Sequence, residues 1–474
     1  EGIKVVAGGL GNVAALYVER LPCPGKFVFA KVGGVEYTNF TPSRSIVFAD
    51  GTVVKVSTLK PAHVEFIALD HEMFTFRTKS NIYPDGRDPE AFVAFKSLWN
   101  RCVAELLVRG RAAGDVDVYH ALDFHGGLAP LYLEASGLPP IPVALTLHNA
   151  LYQGSLLETL DAAEWRKIEA GLQLRNARRY LDSEGDFNML AALVDYIRRH
   201  QKGEGIVGVS HQYGEQVSVD IALFKGLRVG GHPNPMLEEK RPTIPGGAAG
   251  LIAHKAACKA RVQAELGLEV DASAVLISFV GRWAFEKGID LIAEAVLAVL
   301  EAYSNVQFYV VGPIGDEAGQ YAATRLCALS RVEPLNKRLF VRAEFFRVTE
   351  EMRFAADFTI CPSRTEPFGY VDVEYAWHGC PTIGNLVGGL GKVPGVYYQI
   401  LEPGDHRHVL GQLLRAIDVA LSMDAPTLVA AVRAGLDTSF PIEPWASALD
   451  DQYRQVLAFA EPMRARAAAA AELS

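Results

Sequence analysis

Several things are scarce in these 474 residues. Only six cysteines occur (Cys23, Cys102, Cys258, Cys327, Cys361 and Cys380), all far apart and with no C-x-x-C pair. That spacing argues against a disulfide framework or a zinc site, and for reduced, buried thiols in a reducing compartment. No apolar run approaches the ~18–20 residues of a membrane-spanning helix. The opening Glu1-Gly2-Ile3-Lys4-Val5-Val6 has no starting Met and no signal-peptide pattern. Positive charge is also short, with 46 Lys and Arg against 55 Asp and Glu, a formal net charge of −9. A chain of that sign is a poor general binder of nucleic acid or acidic membranes. No nucleic-acid partner is expected, and any anionic ligand needs a local pocket. There is no repeat of solenoid period.

What is present is a globular chain, half of its residues apolar. At roughly 100–200 residues per domain its length indicates two to four domains. Val- and Ile-rich runs without clean alternation are read as strands at 63–69, 116–120, 142–147 and 205–209 in the first half. In the second half they fall at 274–280, 306–311, 358–361 and 381–384. Helical patterns lie between them, at 89–109, 188–199, 253–266 and 289–301. Buried strands separated by helices indicate parallel sheets covered on both faces, an α/β fold. The polar, then Pro- and Gly-rich stretch 238–250 is read as a linker. It separates a first half, 1–237, from a second, 251–440. A helical segment, 441–474, follows, able to cross back to the first half, with an Ala-rich tail from Met463.

Gly8-Gly9-Leu10-Gly11 opens the first half, and the same tetrapeptide recurs as Gly388-Gly389-Leu390-Gly391 in the second. Consecutive glycines ahead of a helix let backbone N–H groups approach an anion, although most such pairs are only turns. Arg282 and Lys287 follow an apolar strand and precede a helix. That is where open α/β sheets bind ligands, and both cations suit a diphosphate; a solvated turn is the plain alternative. Glu366 and Glu374 stand eight residues apart, the first in a loop and the second in the helix expected from Gly369. Two acceptor-only groups there suit sugar and ribose hydroxyls, unless Glu374 simply faces solvent. His148 ends a strand, where capping or core packing is the commoner role. His120, Asp123 and His125 imitate metal spacing without a supporting ligand elsewhere, and no metal is expected. Asp115-Val116-Asp117 has D-x-D form but sits at the wrong end of its strand for a ligand.

Taken together and in order, GGLG, DFHGG, TLHNALYQG, GRWAFEKGIDLI, PSRTEPFG and VGGLG resemble the glycogen and starch synthase family of glycosyltransferases. The likeness covers nearly the whole chain. Gly33-Gly34-Val35-Glu36-Tyr37 and the segments 205–213, 226–235 and 387–395 are more similar to the synthase domain of fungal cell-wall α-1,3-glucan synthases than to bacterial glycogen synthases. The resemblance implies the GT-B fold, two Rossmann-like lobes around an interlobe cleft. It also implies a retaining hexosyltransferase that needs no metal or cofactor and takes a nucleotide-glucose as donor, UDP-glucose favoured, and an α-glucan as acceptor. In that family Arg282 and Lys287 would hold the diphosphate, Glu366 the glucose hydroxyls and Glu374 the ribose. Amides of Gly388, Gly389 and Leu390 would face the donor, with Gly8 and Gly9 closing from the first lobe. His148 would lie beside the transferred glucose, Asp123 on the acceptor side and Asn234 near the hinge. The implied location is the cytoplasm or the cytoplasmic face of a membrane, in a larger membrane-associated synthase, or the plastid of an alga or plant.

Three departures stand out. Val6 occupies the place of a usual Lys, with Lys4 two residues earlier. Phe368 replaces a Cys common in bacterial relatives, as it does in the α-1,3 group. Relatives carry a strand ahead of the first Gly-rich turn, so the first strand of the first lobe is expected to be missing. An α-1,4-glucan synthase and a non-catalytic glucan-binding homologue are the competing readings.

Overall fold

A computed structural model describes residues 8–61, 63–78, 88–154, 161–174 and 187–465. Val6, Lys4 and the place of a preceding strand lie outside them. The chain divides into two units, one of residues 1–233 with 442–474 and the other of residues 234–441.

Among the described residues the first unit holds two four-stranded sheets. In one, β1 (Gly25–Ala30) pairs in parallel with β4 (Val64–Asp70). β3 (Val53–Leu59) runs antiparallel to β4, and β2 (Thr41–Val47) antiparallel to β3. The other is parallel in the order β5 (Tyr119–Leu122), β6 (Val143–Leu147), β7 (Ile206–Gly208), β8 (Gly230–Gly231). Helix Pro89–Ala113 starts at Asp88, whose Oδ1 accepts from Ala91 N at 3.0 Å, with Pro89 at its first position. It ends at left-handed Gly114. Its Phe95, Leu98 and Cys102 pack on Val54, Val56, Ile67 and Leu69 of the first sheet.

The last helix of this unit, Ile442–Leu457, returns from the far end of the chain. Trp445 packs edge-on against Tyr17, and Gln452 Nε2 donates to Gly205 O at 2.9 Å. Tyr453 Oη lies 2.8 Å from His120 Nδ1, while His120 Nε2 lies 2.9 Å from Thr146 Oγ1.

The second unit is one parallel sheet of β9 (Val275–Val280), β10 (Val306–Val311), β11 (Leu339–Arg342), β12 (Phe358–Cys361), β13 (Thr382–Asn385) and β14 (Gly395–Tyr398). Its spatial order is β11-β10-β9-β12-β13-β14. This is the 3-2-1-4-5-6 order of a dinucleotide-binding sheet, with its topological switch point between β9 and β12. Ile277 and Phe279 of β9 face a core with helix Ile289–Ala302, whereas Leu276 faces a second core with helix Gly247–Glu265. Cover on both faces explains why these strands read as unbroken apolar runs.

Two sequence readings need correction. The stretch 238–250 is not a linker: the units divide at Pro233/Asn234, and Gly247–Gly250 already form the first turn of a 19-residue helix. Its glycines suit the start, because Gly246 caps it with φ +75°. Gly8 and Gly9 are not in a turn either, since helix Gly8–Arg20 begins with them. The same tetrapeptide at 388–391 is a true turn, with φ +55° at Gly388 and +94° at Gly391.

All six cysteines are free thiols. Among the described residues no single helix is long and apolar enough to cross a membrane.

Candidate active site

Three loops leave the carboxyl ends of β9, β12 and β13, adjacent strands at the switch point of the second unit. The first carries Arg282 and Lys287. Its path is set by the neighbouring loop after β10: Trp283 N donates to Pro313 O and Gly315 N to Trp283 O, both at 2.8 Å. Asp316 serves two elements at once. Oδ2 accepts from Phe285 N at 2.7 Å, and Oδ1 accepts from Gly319 N at 2.9 Å, capping helix Glu317–Leu329. Arg282 forms an ion pair one helical turn on, with Glu286.

The loop after β12 is stapled to the first. Arg364 grips Asp290 with both guanidinium nitrogens at 2.8 and 2.7 Å, and stacks on the Phe285 ring at 3.7 Å. Gly288 lets the loops approach: φ is +69°, and a Cβ there would lie 2.3 Å from Pro362 O. This close approach brings Lys287 Nζ within 2.7 Å of Glu366 Oε2, which also accepts from Ser363 Oγ at 3.0 Å. Burial alone would lower the Lys287 pKa, but the Glu366 carboxylate reverses that and holds it above the usual range. Both side chains keep partial exposure, 25% for Lys287 and 18% for Glu366, so a ligand can reach them.

A left-handed Gly369 opens helix Tyr370–Ala376, as the spacing had indicated. Glu374, on that helix, is 39% exposed and paired with Arg353 at 3.2 Å. Gly389 packs so tightly that a Cβ would fall 2.2 Å from Phe368 O. Its N–H donates to Glu366 O at 2.7 Å, and the N–H of Leu390 donates to Val387 O at 3.0 Å. Both amides are thus bonded inside the loops. Asn234, the first residue of the unit, is buried, and its Oδ1 has no partner among the described residues.

In the first unit the corresponding ends of β5 and β6 carry Asp123 and His148. Asp123 Oδ1 accepts from His148 N at 2.7 Å and from Asn149 N at 3.0 Å, tying the two loops together. Burial still raises its pKa to about 6 despite those amides. His148 Nε2 is buried without a partner among the described residues, and burial lowers the ring's pKa to about 4. A neutral imidazole with one uncommitted nitrogen can exchange a hydrogen bond with a hydroxyl.

The metal-like trio is occupied otherwise. Both ring nitrogens of His120 have partners, His125 Nδ1 lies 3.0 Å from Lys96 Nζ, and Asp123 holds amides. Asp115 of the D-x-D segment pairs with Lys26 at 2.7 Å. Gly8 and Gly9 lie at the start of their helix. Sequence reasoning missed Ser363, Arg364 and Asp290, although Ser363 and Arg364 sit inside the PSRTEPFG motif.

A starch synthase catalytic domain model matches residues 5–218, and a glycosyl transferases group 1 model matches residues 274–418. The chain is 37% identical over 464 residues to the cell wall alpha-1,3-glucan synthase mok13 of Schizosaccharomyces pombe, aligning 94% of this chain with 19% of that protein. It therefore spans about a fifth of that relative's length. It is 29% identical over 350 residues to a glycogen synthase of Bordetella bronchiseptica, covering 65% of this chain and 63% of that one. Among solved structures, the catalytic domain of Starch Synthase IV from Arabidopsis thaliana, bound to ADP and acarbose, matches with a TM-score of 0.71 at 19% identity. That match covers 96% of this chain and 97% of the other. The two α/β units are those of a GT-B fold. The chain belongs to the glycogen and starch synthase family of glycosyltransferases.

Proposed function

We propose that this chain catalyses transfer of glucose from a nucleotide-glucose, UDP-glucose by preference, to the non-reducing end of an α-glucan, forming α-1,3 links with retention. The observation that carries the reading is the Lys287–Glu366 pair at the β9/β12 switch point, with Arg282 on the same loop. A cation held ready beside a hydroxyl acceptor matches a ligand that is anionic at its phosphates and neutral at its sugar. The similarity to α-1,3-glucan synthases supports the linkage.

In this reading Arg282 and Lys287 neutralise the diphosphate as its charge grows, the electrostatic contribution that is usually largest in such chemistry. Glu366 accepts from glucose hydroxyls and Glu374 from ribose. Asn234 and the Gly388-Gly389-Leu390 loop complete the donor side of the second unit. Neutral His148 bonds a hydroxyl of the transferred sugar, and Asp123 holds His148 and Asn149 in place on the acceptor side. The bond from glucose C1 to the β-phosphate oxygen breaks and a bond from C1 to the acceptor oxygen forms on the same face. The acceptor's proton passes to the phosphate oxygen, and the nucleoside diphosphate leaves. No residue is needed as a nucleophile, and neither metal nor cofactor is called for.

The test is nucleotide release from UDP-glucose and ADP-glucose with α-1,3 and α-1,4 primers, followed by linkage analysis of the product. Release with α-1,3 links is expected. An α-1,4 product makes the chain a starch- or glycogen-type synthase, and no release with either donor sinks the reading.

A further inference from the structure

The residue immediately after the second GGLG tetrapeptide is a lysine, and its surroundings are unlike those of a surface cation. Lys392 is 10% exposed, and its Nζ lies 2.5 Å from Phe368 O, 2.7 Å from Gly369 O and 3.0 Å from Gly389 O. Both carboxylate oxygens of Asp372 are 2.7 Å away, and Asp372 is fully buried. The ammonium also sits 4.6 Å from the centre of the Phe368 ring. Three of these acceptors are backbone carbonyls from two different loops. Phe368 and Gly369 follow Glu366, whereas Gly389 belongs to the glycine turn.

We propose that Lys392, charge-balanced by Asp372, is a positioning residue that clamps the Glu366 loop to the glycine turn and so sets donor affinity without touching the donor. An ammonium has three protons and no acceptor. In a buried site it gathers carbonyls that would otherwise repel one another, and no neutral side chain of that length can do so. Asp372 balances the ammonium at hydrogen-bond distance, although burial pushes its own pKa up to about 6 against the opposing pull of Lys392. Both loops also meet directly through the Gly389 N–H and Glu366 O, so a shift at the clamp reaches the glucose-facing carboxylate through one peptide. Misplacement on the scale of an ångström is costly for a site that works by orientation.

This inference rests on the donor-binding reading above, and the experiment separates the two. Steady-state nucleotide release is measured with the full chain over a range of UDP-glucose, then over a range of primer. The variant Lys392→Met/Asp372→Asn removes both charges together, because stripping one member would leave the other buried alone. Donor KM is expected to rise by about tenfold with primer KM unchanged, and a rise under about threefold in folded protein overturns the proposal. Equal loss of kcat for both substrates with KM unchanged also overturns it, since that marks a merely structural pair. Should the double variant not fold, Lys392→Arg, which keeps the charge pair but replaces the compact ammonium with a planar fork, decides by the same about threefold limit. A wild type that turns over neither UDP-glucose nor ADP-glucose overturns the donor reading and this inference together. A wild type that is active while the variant's KM stays put overturns this inference alone.

Discussion

The Lys287 ammonium lies 2.7 Å from Glu366 Oε2, joining a cation and an anion across loops that end two adjacent parallel strands. In the proposed reaction a diphosphate would compete for that cation and a sugar for that anion, each residue exchanging a protein partner for a ligand group. Lys287→Met and Glu366→Gln are each expected to lower kcat/KM for the donor by about 10²–10³. The double variant should fall little further, because residues in contact do not act independently. Initial rates of nucleotide release check this, and a loss under about tenfold in either single variant refutes it.

Gly389 admits no side chain, because a Cβ would lie 2.2 Å from Phe368 O and 2.6 Å from Phe368 Cα, both backbone atoms. Gly389→Ala must displace the turn or the Glu366 loop. We expect a loss of stability of about 2 kcal/mol and a raised donor KM. Gly404→Ala, where nothing lies within 4 Å of a Cβ, serves as control and should leave both unchanged. Thermal melts and donor titration of the two variants decide it.

Acid should weaken the first unit. Burial lowers His120 to about 3 and His148 and His232 to about 4, from an ordinary 6.5. These rings stay neutral when folded, while the unfolded chain protonates them as pH falls through 6.5. Stability that is fully present above pH 6.5 is therefore lost progressively toward pH 4. Asp123, raised by burial from 3.8 to about 6, works in the opposite direction and offsets part of the loss. Calorimetry should show Tm falling from pH 6.5 to 4, with a shallower slope in His232→Gln. A Tm that is flat over that range would falsify the assignment.

Tyr453→Phe removes the oxygen 2.8 Å from His120 Nδ1 and leaves a buried ring nitrogen without its partner. The expected cost is about 1–3 kcal/mol. Tyr453 belongs to the first unit and the Lys287–Glu366 pair to the second, so donor KM should not move. A changed KM in the folded variant would contradict this separation.

The second unit was the more legible in the sequence. Runs such as Val275–Val280 and Val306–Val311 are buried on both faces, so composition alone marks them as strands. In the first unit β2 reads Thr-Pro-Ser-Arg-Ser-Ile-Val, largely exposed and broken in register between Ser43 and Ile46. No apolar signal announces such a strand, and the whole sheet of β1 to β4 escaped except for β4. The stretch 238–250 misled for the opposite reason: Pro and Gly usually mark a linker, yet here they start a helix. The sequence pattern put Glu366 in a loop and Glu374 on the helix that follows, which is where the fold has them. What spacing could not convey was loop-to-loop contact. Arg364 with Asp290 and Lys392 with Asp372 meet through tertiary folding, and the amides of Gly389 and Leu390 turned out to be bonded within the loops.

The return of helix Ile442–Leu457 to the first unit has a consequence for synthesis. A domain at the front of a chain ordinarily completes its fold first as it leaves the ribosome. Here Tyr17, His120 and Gly205 wait for Trp445, Tyr453 and Gln452, residues made more than two hundred positions later. The second unit, contiguous from 234 to 441, has all its parts before the first has its last helix. Maturation should therefore run backwards relative to translation, with the second unit finished while its elder neighbour is still open.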